Sequence, residues 1–357
     1  MSARCWRGRR CCPGALATWP CCADIGWLVF SVNLKVALPS IQEIRDAARI
    51  VYARLPQTPQ IRWPLLEARL GCELWLKHEN HCETGSFKVR GGLVYLHAER
   101  AACEYGVIAA TRGNYGQSAA FAARAAGVPA VIVVPHGNSA DKNRAMRAQG
   151  VDLIEAGSDF DESVQAAKDL ARERNLHLMP SFAAPLVKGV ATYAIELFEA
   201  VNELERVYVP IGLGSGICGV AAVRNALSPD TQIVGVVADG ADAYKQSFIA
   251  GVARSTNAAR TVADGLAVRN PDPIALSYIL DNVDHIVAVS DAAVLEAMGW
   301  LFADTHNVAE GAGAAAVAAV AAERDANEGC RVAAILTGGN VAAPDFSRAL
   351  STLSDQA

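Results

Sequence analysis

The chain has 357 residues, a formal net charge of −5, 52% apolar residues and 19% charged ones. At roughly 150 residues per domain this length fits two domains or one large one, and so much apolar material excludes a disordered or fibrous protein. The mild acidity, without long like-charge runs, excludes the basic stripe of a nucleic-acid binder, and no uncharged apolar run reaches the ~18 residues of a membrane helix. Lys35 interrupts the nearest candidate, at 26–37, so the chain reads as soluble, with no membrane partner. Five of its ten cysteines (Cys5, Cys11, Cys12, Cys21, Cys22) fall in the first 22 residues. They lack the CxxC spacing of a zinc site and have no histidine among them. Residues 1–36 therefore read as an unstructured or artefactual extension. The remaining cysteines are scattered, as reduced thiols of a cytoplasmic protein are.

Order is expected from Leu38 onward. Ser40 is placed as a helix N-cap with Glu43 three residues later, and Ile41, Ile44, Ala48 and Val51 form an apolar helical stripe. A connection punctuated by Pro56, Pro59 and Pro64 follows. From residue 106 the chain alternates. Strand-like runs at 106–111, 129–134, 151–155, 176–181, 206–211, 232–238, 284–289 and 331–337 are separated mostly by Ala-rich helical segments such as 115–126, 139–149 and 160–174. The runs are too apolar to face water on either side, which predicts parallel sheets in an α/β protein.

Open α/β sheets bind ligands beyond the carboxyl ends of their strands, so four loops at strand ends become candidates. Gly212-Leu213-Gly214-Ser215-Gly216 follows a strand and opens a helix expected at 217–227. Its backbone N–H groups and the helix dipole suit a phosphate. Gly214, Gly216 and Gly219 also match a dinucleotide fingerprint, with Asp239 at the ribose-binding spacing. Taken alone, this stretch indicates a nicotinamide or flavin enzyme. Lys88 lies in a glycine-flanked, largely uncharged turn, Thr84 to Gly92, where lost solvation would lower its pKa. Thr111-Arg112-Gly113-Asn114-Tyr115 leads from a strand into a helix; it can hold a carboxylate, or Asn114 can simply cap the helix. Thr337-Gly338-Gly339-Asn340 ends the last strand, with a hydroxyl that can meet a ligand or with no role beyond a turn.

Together these segments resemble the fold-type II pyridoxal-phosphate enzymes, in particular the threonine/serine dehydratase and serine racemase group. GSFKVRGG looks like that group's lysine motif, TRGNYGQ like its Ser-Ser-Gly-Asn-His-Gly-Gln loop, and GLGSG like its tetraglycine phosphate loop. Asp264-Gly265-Leu266-Ala267-Val268, Glu310-Gly311-Ala312-Gly313-Ala314 and TGGN are similar to three further motifs in the same order, over roughly residues 38–350. The resemblance implies a tryptophan synthase β-like fold, two open parallel-sheet α/β domains with pyridoxal 5'-phosphate between them. The larger would comprise 37–105 and 184–350, the smaller 106–183, with 351–357 a tail. It demotes the dinucleotide reading.

The resemblance also assigns roles. Lys88 would carry the cofactor and then, once free, remove the substrate α-proton. Phe87 adjoins the cofactor, Asn114 would bond the ring's 3-oxygen, Gly212, Leu213, Gly214, Ser215 and Gly216 would cradle the phosphate, and Thr337 would meet the ring nitrogen. A hydroxyl at that nitrogen suits β-elimination better than transamination. Thr111, Arg112, Gly113, Asn114, Tyr115 and Asp264 would bind the amino-acid substrate. The expected reaction converts L-threonine, and secondarily L-serine, to a 2-oxo acid and ammonia.

Several residues depart from the pattern. Arg112 replaces the serine that serves racemases as the opposite-face acid/base, and a permanently charged arginine is a poor proton shuttle, so little racemase activity is expected. Tyr115 replaces a histidine. Together the two leave room for phenylserine or 3-hydroxyaspartate. Val236-Val237-Ala238-Asp239 lacks the glutamate of a divalent-metal site, so no metal is expected. Lys188 stands where relatives carry a glutamine, for no reason visible in the sequence. The length leaves no room for a regulatory domain, as in single-unit catabolic enzymes, and a homodimer or homotetramer is implied. A cysteine synthase, a threonine synthase or a non-catalytic ligand sensor on the same scaffold are the other readings.

Overall fold

The computed structural model describes residues 37–354; the extension at 1–36 and the last three residues lie outside them. The Ser40 signal has the geometry its spacing implies. Ser40 Oγ accepts from the Glu43 N–H at 3.3 Å, and Glu43 Oε2 accepts from the Ser40 N–H at 2.9 Å, closing the first turn of the helix Ile41–Tyr52. Lys188 finds its reason here. Its Nζ lies 2.6 Å from the other Glu43 oxygen, and this hydrogen bond, foremost among the causes, holds the Glu43 carboxyl down at about 2.

Ten strands follow in chain order: β1 (Gln60–Arg62), β2 (Glu73–His78), β3 (Val107–Ala110), β4 (Ala130–Val134), β5 (Asp152–Glu155), β6 (His177–Leu178), β7 (Arg206–Pro210), β8 (Gln232–Ala238), β9 (His285–Val289) and β10 (Arg331–Leu336). They form a six-stranded sheet, β1-β2-β10-β7-β8-β9, and a four-stranded one, β5-β4-β3-β6. Every pairing is parallel except β1 with β2. The expectation of strands buried on both faces holds for the inner ones. The edge strands β5 and β9 are only partly covered, because one side of each has no neighbour. β6 (His177–Leu178) is shorter than the run expected at 176–181, because Pro180 has no N–H to give a ladder.

Two consequences place the site. The last strand, β10, returns to the middle of the larger sheet between β2 and β7, so the loops after β7 and β10 emerge side by side at the same sheet end. The helix Gly311–Ala322, GAGAAAVAAVAA, is buried through residue 320 because its small side chains allow close approach to the sheet. Glu310, the residue before it, is thereby carried into the interior.

Behind the lysine turn lies a fully buried ionic cluster. Arg90 donates to Glu79 at 2.7 Å and to Glu196 at 2.6 Å, while Lys77 Nζ lies 2.6 Å from Glu196 and donates to the Thr58 carbonyl. Two cations and two carboxylates balance, as a dry site requires.

Candidate active site

Lys88 is not in a free turn. It is the first residue of the helix Lys88–Ala98, and the turn before it is stitched to the turn after β10. The Phe87 N–H donates to the Thr337 carbonyl at 3.1 Å, the Gly339 N–H donates to the Gly85 carbonyl at 2.9 Å, and Ser86 bridges Gly338. Gly338 is needed there for close approach, since a Cβ would sit 2.5 Å from Glu310 Oε1 and 3.0 Å from Ser86 Cβ. Lys88 Nζ lies 3.3 Å from Ser215 Oγ and 4.8 Å from the Phe87 ring centroid. Desolvation pulls its ammonium down to about 8, against a smaller opposing pull from Glu310.

The glycine loop joins β7 to the helix Ser215–Leu227, which starts two residues earlier than the sequence suggests and puts Ser215 and Gly216 in its first turn. Gly214 has φ +98°, a conformation open to glycine. Its neighbours turn their carbonyls into the protein. Leu213 O accepts from the Tyr244 hydroxyl at 3.1 Å, and Gly216 O accepts from the Tyr193 hydroxyl at 3.2 Å. With the carbonyls so engaged, first-turn N–H groups remain for an anion. A Cβ on Gly212 would meet the Gly265 carbonyl at 2.5 Å, which brings the 264–268 segment against the same loop.

The loop after β3 meets the turn after β10 and the entry to the helix Gly311–Ala322. Asn114 does not cap its helix: Gly113 holds the cap position, and Asn114 opens the helix Asn114–Ala126. Its Nδ2 donates to Glu310 Oε1 at 2.5 Å, and its Oδ1 accepts from Asn340 Nδ2 at 2.8 Å. Thr111 Oγ1 accepts from the Gly113 N–H at 3.1 Å. Tyr115 turns its hydroxyl away to the Pro180 carbonyl, at 2.5 Å, so its donor is already used. Arg112 is exposed and unpaired among the described residues. Asp264 is half-exposed and lies 2.7 Å from Lys142 Nζ.

The four loops are therefore tied together by direct contacts: the lysine turn to the turn after β10, Lys88 to Ser215, and Asn114 to Asn340. Sequence reading gives no role to Glu310, Asn340 or Lys142. A lone acid ahead of a long uncharged Gly/Ala run is the available signal for Glu310. Lys142 sits in a polar helix, Ala140–Arg147, that reads as surface, and only the fold shows it reaching Asp264.

A family model described as "Pyridoxal-phosphate dependent enzyme" matches residues 53–338. The chain is 32% identical to L-threonine ammonia-lyase of Thermotoga maritima over 85% of this chain and 76% of that one. It is 30% identical to L-threo-3-hydroxyaspartate ammonia-lyase of Saccharomyces cerevisiae over 89% and 98%. Among solved structures, the processed form of threonine deaminase isoform 2 from Solanum lycopersicum superposes with a TM-score of 0.81 at 28% identity, covering 87% of this chain and 92% of that one. A match over most of the chain, on a fold whose lysine faces a phosphate-type loop, overrides the dinucleotide fingerprint: this chain belongs to the pyridoxal-phosphate dependent enzymes.

Proposed function

We propose that the protein is an ammonia-lyase that removes water from a β-hydroxy-α-amino acid, with L-threonine its main substrate and L-serine a secondary one. The observation that carries this reading is the half-buried Lys88 amine, with its ammonium at about 8, facing Ser215 at the head of a glycine loop. The names of the relatives from Thermotoga maritima and Solanum lycopersicum support threonine.

The residues fit the cofactor. Pyridoxal phosphate needs an amine that is readily neutral, an anion cradle a short distance away and a polar rim for its ring. Lys88, the Gly212–Gly216 loop, and Asn114 with Thr337 are of those kinds. Ser86 Oγ, buried next to Lys88 and without a partner among the described residues, is a further polar atom for a ligand. The Phe87 ring lies beside both, 4.8 Å from Lys88 Nζ and 3.6 Å from the Cβ position of Gly216. When bound, the cofactor supplies the electron sink that lets an amino-acid Cα–H bond break.

In this reading the protein's own groups divide the work. The neutral Lys88 amine takes the α-proton. The free Asn114 N–H and the Thr337 hydroxyl orient the ring, and the loop N–H groups hold the phosphate. The backbone N–H groups of the Thr111–Tyr115 loop hold the substrate carboxylate, with Asp264 at the edge and the Tyr115 hydroxyl engaged elsewhere. The substrate loses its α-proton and β-hydroxyl as water; the enamine that leaves tautomerises and takes up water, giving a 2-oxo acid and ammonia. Arg112, exposed and unpaired among the described residues, favours a second substrate, 3-hydroxyaspartate, whose extra carboxylate it would meet; the yeast relative is named for that substrate. Racemisation is expected to be slight.

No helix among the described residues is long and apolar enough to cross a membrane. The described cysteines, Cys72, Cys82, Cys103, Cys218 and Cys330, are all free, which supports a reducing, cytoplasmic setting. A homodimer or homotetramer belongs to the same reading, on the strength of the family resemblance.

The test uses purified protein with pyridoxal phosphate and L-threonine. Expected are a yellow absorbance bleached by borohydride and release of 2-oxobutanoate, both lost in Lys88→Ala. A yellow protein inert to threonine but active on 3-hydroxyaspartate would move the substrate to the second reading. A protein that stays colourless would overturn the lyase assignment.

A further inference from the structure

A relay of side-chain amides fixes the orientation of Asn114 before any ligand arrives. The Thr84 carbonyl can only accept, so the Asn340 atom 2.8 Å from it is Nδ2. The same Nδ2 lies 2.8 Å from Asn114, whose facing atom must then be Oδ1. The other end of the Asn114 amide, Nδ2, is left to donate to Glu310 Oε1. One backbone carbonyl thus sets the sense of two amides, and Glu310 is the terminal acceptor. The four residues come from four segments: the approach to the lysine turn, the turn after β10, the loop after β3, and the entry to the helix Gly311–Ala322.

Glu310 is otherwise poorly compensated. It is buried, and among the described residues it forms no ion pair, since Lys142, the nearby cation of the neighbouring helix, bonds to Asp264. Burial pushes its carboxyl up to about 7. Lys142 and the Asn114 amide draw it back, as does Lys88 from the lysine helix, while Asp264 pushes it further up. Asp345, on the last helix (Ala343–Ser354), lines with Glu310, Lys142 and Asp264 a small cavity of about 70 Å³.

We infer that Glu310 is a positioning residue: as the last acceptor of the Thr84–Asn340–Asn114 relay, it makes Asn114 present a single N–H to the cofactor ring, and its own protonation tunes that contact. This inference rests on the proposed pyridoxal-phosphate chemistry of the same site. A purely structural glutamate would affect folding but leave the spectrum of the bound cofactor indifferent to its charge.

The experiment is a titration of visible absorbance, without substrate, on protein reconstituted with pyridoxal phosphate, from pH 5.5 to 8.5. Wild type should show a step near pH 7. Glu310→Gln, which keeps an acceptor but cannot ionise, should lose the step while keeping its Tm and circular dichroism, and Glu310→Asp should restore a displaced step. Asn340→Ala, at the other end of the relay, should weaken cofactor affinity about 5- to 10-fold, and the double variant with Glu310→Gln should lose no more than the larger single loss, as one unit requires. An unchanged step in Glu310→Gln, or losses that simply multiply, would overturn the positioning role alone. A wild type that takes up no cofactor would overturn the functional reading, and this inference with it.

Discussion

Lys88 is the residue on which the chemistry turns, and its environment makes a kinetic prediction. Desolvation lowers its pKa to about 8 from a usual 10.5, so about a tenth of the amine is neutral at pH 7, against less than a thousandth in water. Capture of pyridoxal phosphate by the cofactor-free protein should therefore quicken about tenfold per pH unit up to 8 and level off above it. Stopped-flow absorbance would measure this, and a midpoint near 10 would show that the lysine is solvated. The same shift has a stability consequence. The folded pKa lies below the unfolded one, so between about 8 and 10.5 the unfolded chain holds more protons and stability rises with pH. At pH 7 the charge opposes folding. Lys88→Met should then raise the Tm of the cofactor-free protein while abolishing activity, a gain of at most about 3 kcal/mol. A lower Tm would mean that the Ser215 contact outweighs desolvation.

The elements that hold the site are loops at strand ends, and one glycine tests the phosphate cradle. Gly214 combines φ +98° with a Cβ position 2.7 Å from Ala275 Cβ. Gly214→Ala adds a backbone strain of roughly 1–2 kcal/mol to a clash that only movement of the loop or of the helix Pro273–Asn282 relieves. Cofactor affinity should fall at least tenfold. Gly251, with φ +68° and nothing within 4 Å of its Cβ position, is the control: Gly251→Ala should cost about 1 kcal/mol and leave affinity unchanged. Equal effects on affinity would disconnect the loop from the cofactor. The loops after β3, β7 and β10 are legible in the sequence, because each follows an apolar strand and carries glycine at a turn. β1 is not, since three residues between prolines have no period to read. β2 escapes notice because Lys77 and His78 look like surface residues. Lys77 is buried only because Glu196, more than a hundred residues away, meets it, and the Trp63 indole donates to His78. A still greater separation in sequence hides the partnership of Asn114 with Glu310.

At the scale of the molecule, the buried cluster of Lys77, Glu79, Arg90 and Glu196 ties β2 and the lysine helix to the helix Thr192–Ala200. Its worth lies in balance rather than in any one pair, because each charge has left water and is tolerable only with its partners. Glu196 illustrates the sign. Burial raises its pKa, but Arg90 and Lys77 together outweigh that and hold the carboxyl below its usual value of 4.5. Its stabilisation is therefore complete above about pH 4.5 and fades as pH falls toward the lower folded value. Glu196→Gln would leave two buried cations with one carboxylate, and unfolding by urea at pH 7 should show a loss of about 3–5 kcal/mol. The variant should also lose stability less steeply than wild type between pH 5 and 3, since the group that must be protonated is gone. Arg90 lies in the first turn after Lys88, so the same variant should bind the cofactor more weakly even where it remains folded. A Glu196→Gln protein within 1 kcal/mol of wild type, with the same acid slope, would mean that water reaches the cluster and the lysine helix is held by apolar packing alone.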